Sequence, residues 1–414
     1  MTTHKTSGRI AIAHPTGNTF SRAAAEAFQR NDLLDTFHTC IAIGNDSGNP
    51  LSKRLYAQRR CEIPQAYLKT RPARELTRLI LQKKDWLPNL RKHETGAFCV
   101  DSIYHDLDQH VAKSLEQQAK KPAAIYAYED GALASFIAAR NCGIPRIYDL
   151  PIGYWRAARR IQSEEALRLP DWASTMPALI DSESKLERKD EELKLCEQII
   201  VASRFTAETL KEAPFDLPTP YIIPYGCPPP RKDVSPKSDA SKPLRVLYVG
   251  GLSQRKGVAY LLDAVEALGS AVELTLIGKR VSECAPLDAA LKKFHWIDSL
   301  PHSEILNTMR EHDVLVFPSL FEGFGLVITE ALSQGIPIIS TSHTCAPDII
   351  EDGREGYIVP IRDAAAISEK LTRLHEDRDH LQQMKEAALQ RAATMSWELY
   401  KDGLVHAAKH ILKL

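Results

Sequence analysis

Apolar residues along the chain cluster in short runs, separated by longer stretches with helical spacing. RIAIAHP (9–15) reads as a strand, SRAAAEAFQR (21–30) as a helix and FHTCIAI (37–43) as a second strand. Further strands are predicted in AAIYAYED (123–130), RIYDL (146–150), QIIVASR (198–204) and YIIPYG (221–226). Pro214, Pro218, Pro220, Pro224, Pro228, Pro229 and Pro230 then crowd into one region, which reads as a linker. The pattern restarts at RVLYVGG (245–251) and continues with Val258, Leu261, Leu262, Val265 and Leu268 at helical spacing. Strands VELTLIG (272–278), DVLVFPS (313–319) and IPIIS (336–340) follow. Strand and helix in alternation predict α/β architecture with parallel sheets, here a pair of Rossmann-like β/α/β lobes facing a cleft.

Length agrees with that division, because 414 residues exceed what one ordinary core organises. The expected boundaries are an N-terminal lobe over 1–225, a linker over 226–243 and a second lobe over 244–395. With 53 basic and 53 acidic residues the formal net charge is zero, which argues against nucleic acid as a partner. Eight cysteines lie far apart, without zinc-knuckle or redox spacing, and fit reduced thiols in a cytosol. The start MTTHKTSGR lacks the apolar core of a signal peptide, and no apolar run is long enough to span a bilayer, so a cytoplasmic location is expected. Residues 51–92 are locally basic, with Lys53, Arg54, Arg59, Arg60, Lys69, Arg71, Arg74, Arg78, Lys83 and Lys84 outnumbering nearby acids. They read either as a solvated helical surface or as a face for anionic membrane lipids.

EGFGLVITE (322–330) carries a carboxylate at each end of an apolar stretch. In one continuous helix Glu322 and Glu330 would lie roughly 80° apart, a poor shared face. Gly323 and Gly325 point instead to a turn after DVLVFPS, with a helix opening near Gly325 and stopping at Gly335. A helix start of that kind offers unpaired N–H groups to a phosphate, and carboxylates accept hydrogen bonds from sugar hydroxyls. GGLSQRKG (250–257) is a second such turn, with Arg255 and Lys256 before a helix. Together the two turns point to a nucleotide sugar.

Through YVGGLSQRKGVAYLLDA, LIG, DVLVFPSLFEGFGLVITEALSQGIPIIST and PDIIEDGREGYIVPIRD, the second lobe resembles the family-four retaining nucleotide-sugar glycosyltransferases of GT-B fold, over about 150 residues. The resemblance implies that Glu330 holds the ribose hydroxyls and that Glu322 sits by the donor sugar. It also implies that Arg255 and Lys256 neutralise the departing diphosphate, while backbone at Gly323, Phe324 and Gly325 touches the sugar. N–H groups at the helix start, Leu326 and Val327, would meet phosphate oxygens. The donor implied first is a UDP-sugar, the acceptor a saccharide, a lipid-linked saccharide or another hydroxyl compound, and no metal or other cofactor is expected. The final segment, 396–414, is implied to cross back onto the first lobe. A lipid-linked acceptor would bring the protein to the cytosolic membrane face.

Departures from the family accompany the match. Gly251 stands where many relatives carry arginine, Asp348 where glutamate is commoner, and HTCA (343–346) where a glycine pair is usual, leaving His343 a minor candidate. IYDLPIGYW (147–155) lacks the histidine that relatives place near the donor sugar; Asp149 and Tyr154 are candidate substitutes. Gly17 and Asn18, after the first strand, are candidates for donor or acceptor contact, and His14 reads equally as a cleft or a structural residue. Tyr128, Glu129 and Asp130 end a strand and are candidates for the acceptor, with structural capping the competing reading. A lone D-x-D at Asp106 and Asp108 reads as acids favoured near a helix start, not as a metal site. The alternatives to transfer are a catalytically inactive nucleotide-sugar-binding subunit and a nucleotide-sugar epimerase of similar architecture.

Overall fold

The computed structural model describes residues 8–47, 59–84, 86–235, 237 and 239–414. Its strands are β1 (Ile10–Ala13), β2 (Leu34–Thr39), β3 (Leu68–Thr70), β4 (Ala124–Tyr128), β5 (Arg146–Leu150), β6 (Gln198–Val201) and β7 (Tyr221–Ile222), then β8 (Leu244–Val249), β9 (Val272–Ile277), β10 (His295–Ile297), β11 (Val314–Phe317), β12 (Ile338–Thr341) and β13 (Gly356–Val359). The first seven form one sheet in the order β3-β2-β1-β4-β5-β6-β7 and the other six a second, β10-β9-β8-β11-β12-β13. Every described pairing is parallel. Parallel sheets are covered by helices on both faces, so central strands such as IAIA of β1 and VLVF of β11 are buried throughout. The α/β architecture of two Rossmann-like lobes expected from the alternation is the one observed.

Local chemistry sets the element ends. The helix Thr19–Arg30 starts where the Asn18 side chain accepts from the Ser21 N–H at 3.0 Å. β7 stops at Ile222 because the next residues run into Pro224, which has no N–H to give a ladder. β2 lies three residues earlier than the sequence placed its start, since Leu34 pairs with Ile10, while Cys40 leaves the sheet to donate to the Pro15 carbonyl. The short strands β3, β10 and β13 have no counterpart in the apolar pattern; β3 and β10 are partly exposed edge strands.

Among its described residues, 226–243 holds no helix, and Cys227 bridges to Ser396 at the start of the final helix. That helix, Trp397–Leu412, lies along Thr19–Arg30, with Lys401 Nζ 2.9 Å from Glu26 and Arg30 3.1 Å from Glu398. Tyr225 joins the parts: its ring stacks on Phe20 at 4.9 Å and meets Phe324 of the second lobe at 5.1 Å and Tyr400 of the final helix at 5.3 Å. In the basic stretch, Arg71 and Arg74 reach Asp106 and Arg78 pairs with Glu75. Lys53 and Arg54 lie outside the described residues. No described helix is long and apolar enough to cross a membrane.

Candidate active site

In an open parallel sheet, ligands bind beyond the carboxyl ends of the strands where the strand order reverses. The first sheet reverses between β1 and β4, which places Gly17 and Asn18 on one side of the crevice and Tyr128, Glu129 and Asp130 on the other. The second reverses between β8 and β11. Arg255 and Lys256 follow β8, and Glu322 follows β11.

These three side chains meet. The Glu322 carboxylate contacts Lys256 Nζ and lies 3.6 Å from the Arg255 guanidinium, which donates to the Phe321 carbonyl at 2.7 Å. Lys256 Nζ also lies 4.9 Å from the centre of the Phe317 ring. Gly257 brings the two turns together: its φ is +70°, and any side chain there would run into the Pro318 carbonyl. Burial lowers Arg255 below the usual guanidinium range. Burial and the neighbouring Arg255 charge pull Lys256 well below its usual range, a pull that the touching carboxylate opposes. Two desolvated cations share one carboxylate, and an arriving anion would complete their neutralisation.

Beside them, Gly325 at φ +90° begins the helix Leu326–Ser333, and no described side chain caps that start. The N–H groups of Leu326 and Val327 therefore sit at an open, positively polarised helix end. Glu322 is in the turn and Glu330 within the helix, where its Oε1 is 2.8 Å from His302 Nε2. Gly251 follows the β8 end and its carbonyl accepts from Tyr248 Oη at 2.9 Å.

Gly323 and Phe324, expected to touch the sugar through their backbone, lie at the boundary between the lobes. Gly323 presses on the Pro151–Ile152 backbone of the first lobe, and its carbonyl accepts from Ser203 Oγ at 2.6 Å and Thr206 Oγ1 at 2.9 Å. Phe324 is buried and packs on Tyr225. Both serve contact between lobes in this arrangement.

In the first lobe, His14 Nδ1 accepts from the Gly17 N–H at 3.1 Å and the Thr16 N–H at 3.2 Å, and burial pushes the ring down to about 3, so it is neutral. Glu129 and Asp130 flank the Lys189 ammonium at 3.1 and 3.3 Å. Burial lifts Glu129 to about 7, with Lys189 opposing. Tyr128 is buried, with its ring 4.6 Å from that of His14. Asp149 and Tyr154 are not at the crevice surface: both are buried, Asp149 accepting from Tyr126 Oη at 2.5 Å and Tyr154 donating to Asp190 at 2.6 Å. Their positions within a parallel sheet and its following turn put them in the core. A cavity of about 350 Å³ lined by Glu129, Asp130, Trp155, Lys189, Arg255 and Phe321 joins the two lobes.

The contacts that hold the lobes together had no sequence signal, since each joins distant segments. Buried Glu165 accepts from Gln254 at 2.7 Å, Tyr260 at 2.7 Å and Arg362 at 2.8 Å. The Asp348 carboxylate takes the Arg204 backbone N–H at 2.8 Å and contacts its guanidinium. His343 bonds the Leu320 carbonyl at 2.8 Å and stacks on Phe205, a structural placement.

The D-x-D acids are occupied. Asp106 pairs with Arg71 and Arg74. Asp108 accepts from the N–H groups of Ala134 and Ser135, at the start of the helix Leu133–Asn141, and from Arg188. It thus caps a neighbouring helix, where the sequence reading placed it near the start of its own, Val100–Gln117. Among the described residues His93, Glu94 and Asp181 bring three ligand atoms close together, but Asp181 Oδ1 already faces the Lys185 ammonium at 3.0 Å, whose charge opposes a metal ion.

The family model described as "Glycosyl transferases group 1" matches residues 231–391. The amylovoran biosynthesis glycosyltransferase AmsK of Erwinia amylovora is 29% identical over 37% of this chain and 44% of its own length. Glycogen synthase of Mycobacterium tuberculosis is 28% identical over 38% of this chain and 40% of its own. The chain thus spans less than half the length of these curated relatives. Among solved structures, sucrose-phosphate synthase of Thermosynechococcus elongatus superposes with a TM-score of 0.69 at 16% identity, covering 98% of this chain and 99% of that one. Anabaena Alr3699/HepE in complex with UDP-glucose gives 0.60 at 14% identity, covering 97% and 99%. The family match thus falls on the lobe that carries Arg255, Lys256, Glu322 and Glu330, in a chain whose two lobes have the GT-B fold of these solved structures.

Proposed function

We propose that this protein moves a sugar from a nucleoside diphosphate sugar, a UDP-sugar first, to a hydroxyl of a saccharide or lipid-linked saccharide, with retention and without a metal ion. The observation that carries the proposal is the meeting of Arg255, Lys256 and Glu322 beside an uncapped helix start at the reversal point of the second sheet. Breaking the bond between the anomeric carbon and the phosphate oxygen sends its electron pair to the diphosphate. Arg255, Lys256 and the N–H groups of Leu326 and Val327 stabilise that charge in a preorganised, largely dry setting. Glu322 orients the donor sugar and Glu330 the ribose. The acceptor oxygen attacks the face the diphosphate leaves, and its proton passes to the departing phosphate oxygen. Acceptor hydroxyls reach this centre through the cavity of Glu129, Asp130 and Arg255. The UDP and UDP-glucose named with the HepE structures favour uridine.

A panel of nucleoside diphosphates and their sugars, with chelator present, tests the reading by thermal shift followed by product analysis. Stabilisation by UDP compounds and a new glycosidic bond in the product are expected. No stabilisation by any nucleotide removes the reading; binding without transfer across many acceptors leaves a binding subunit, and an altered sugar still on its nucleotide indicates an epimerase.

A further inference from the structure

The helix Pro72–Lys83 ends in an exposed apolar tip. Ile80, Trp86 and Leu87 are 54%, 56% and 60% exposed, although they lie within a few residues of each other. The tip is built, since the Lys84 N–H donates to the Ile80 carbonyl at 3.1 Å and the Trp86 N–H to the Leu81 carbonyl at 3.0 Å. Leu87, at φ +48°, begins the short turn Pro88–Arg91, and the Phe98 N–H closes that turn on the Leu90 carbonyl at 2.8 Å. Three large apolar side chains held out in water near one helix end make a surface that asks for a partner.

Charge identifies the partner. Residues 80–92 hold Lys83, Lys84, Arg91 and Lys92 against a single acid, Asp85. Toward the other end, Arg71 just before the helix and Arg74 and Arg78 within it are each tied to an acid, but Lys83 and Lys92 are exposed and make no ion pair among the described residues. Lys84 lies 4.2 Å from the Trp86 ring centre. An indole beside ammonium groups matches the boundary of an anionic bilayer, where the ring enters the headgroup layer and the lysines meet lipid phosphates. The chain then leads straight to His93, which bonds Asp181 at 3.0 Å; both residues line the cavity between the lobes.

We propose that the tip formed by Ile80, Trp86 and Leu87, with Lys84 against the Trp86 ring and Lys83 and Lys92 exposed nearby in the chain, docks the protein on an anionic membrane and sets the cavity mouth at the lipid surface. This surface stands apart from the transfer chemistry and is tested without turnover. Full-length protein is sedimented with phosphatidylcholine vesicles, with or without phosphatidylglycerol. Binding is expected only with the anionic lipid. Trp86→Ser/Leu87→Ser should weaken it about tenfold, and Lys83→Glu/Lys84→Glu by about thirtyfold or more, with thermal melting unchanged in both because these side chains are exposed. The proposal is overturned by absence of binding, by binding that neither variant changes, or by binding lost on charge reversal but indifferent to Trp86 and Leu87, which is mere adsorption. A concentration-dependent dimer that needs the tip and forms without vesicle binding would overturn it too, assigning the surface to a second copy.

Discussion

Gln254, in the turn after β8, donates its side-chain N–H to Glu165 at 2.7 Å, and both residues are fully buried between the lobes. Glu165 belongs to the helix Trp155–Arg168 of the first lobe and gathers Tyr260 and Arg362 from the second as well. One carboxylate thus fixes the turn that carries Arg255 and Lys256 against the opposite lobe. Removing one partner of a buried charge network leaves the others uncompensated, so Glu165→Ala should destabilise by about 3 kcal/mol or more. Glu165→Gln keeps an acceptor and should cost roughly half that. Urea unfolding followed by circular dichroism measures both, and wild-type stability in Glu165→Ala would contradict the role given to the network.

Glu322 faces Arg255 and Lys256, the cations that the proposed diphosphate would meet. Glu322→Gln should therefore bind UDP as well as or better than the wild type, while transfer falls on the order of a hundredfold. Arg255→Ala should weaken UDP binding roughly thirtyfold. Calorimetric titration and initial rates separate the two effects; weaker UDP binding in Glu322→Gln would count against the assignment.

Glu330 meets His302 at 2.8 Å on a partly exposed helix face. If it takes ribose hydroxyls, Glu330→Ala weakens nucleoside diphosphate binding by roughly tenfold, with inorganic pyrophosphate unaffected. Equal losses for nucleotide and pyrophosphate would show that the residue acts on the phosphates.

Asp149 is fully buried, and burial lifts its carboxyl from 3.8 to about 7, against the Tyr126 hydrogen bond. Its folded value lies above its unfolded one, so it favours the folded state at low pH and this contribution is lost as pH rises from about 4 to about 7. Asp149→Asn should gain on the wild type through that window, at up to about 1.4 kcal/mol per pH unit. Denaturation midpoints from pH 4 to 8 test the slope, and a constant difference would contradict it.

Gly323 has no room for a side chain, because the Pro151 carbonyl and Ile152 occupy the space. Gly323→Ala should displace the turn from Ser203 and Thr206 and cost about 1–3 kcal/mol, with transfer reduced further through the misplaced Glu322. A variant with normal melting and normal rates would show that the lobes do not need this contact.

Apolar periodicity was enough to foresee two parallel β/α lobes, because a strand buried on both faces is apolar along its whole length. The turn and helix around Glu322 and Glu330 were legible for a similar reason: Gly325 and Gly335 punctuate a local element, and Gly325 takes the left-handed conformation on which such a start depends. Edge strands β3 and β10 escaped notice, being three residues each and partly polar. Asp149 ended a recognised strand, but sequence did not tell whether that end faced the crevice or the core.

The chain on its own determined the alternation of most central strands with helices, and with it the parallel sheets, and the residue types at each strand end, because these are matters of neighbours within a few positions. The tertiary structure alone decided that Glu322 meets Arg255 and Lys256, that Gly323 is sealed by Pro151, and that Glu165 links Gln254, Tyr260 and Arg362. Such contacts arise when strand order brings loops distant in sequence to one edge, and the need to satisfy every buried polar group then selects the partners.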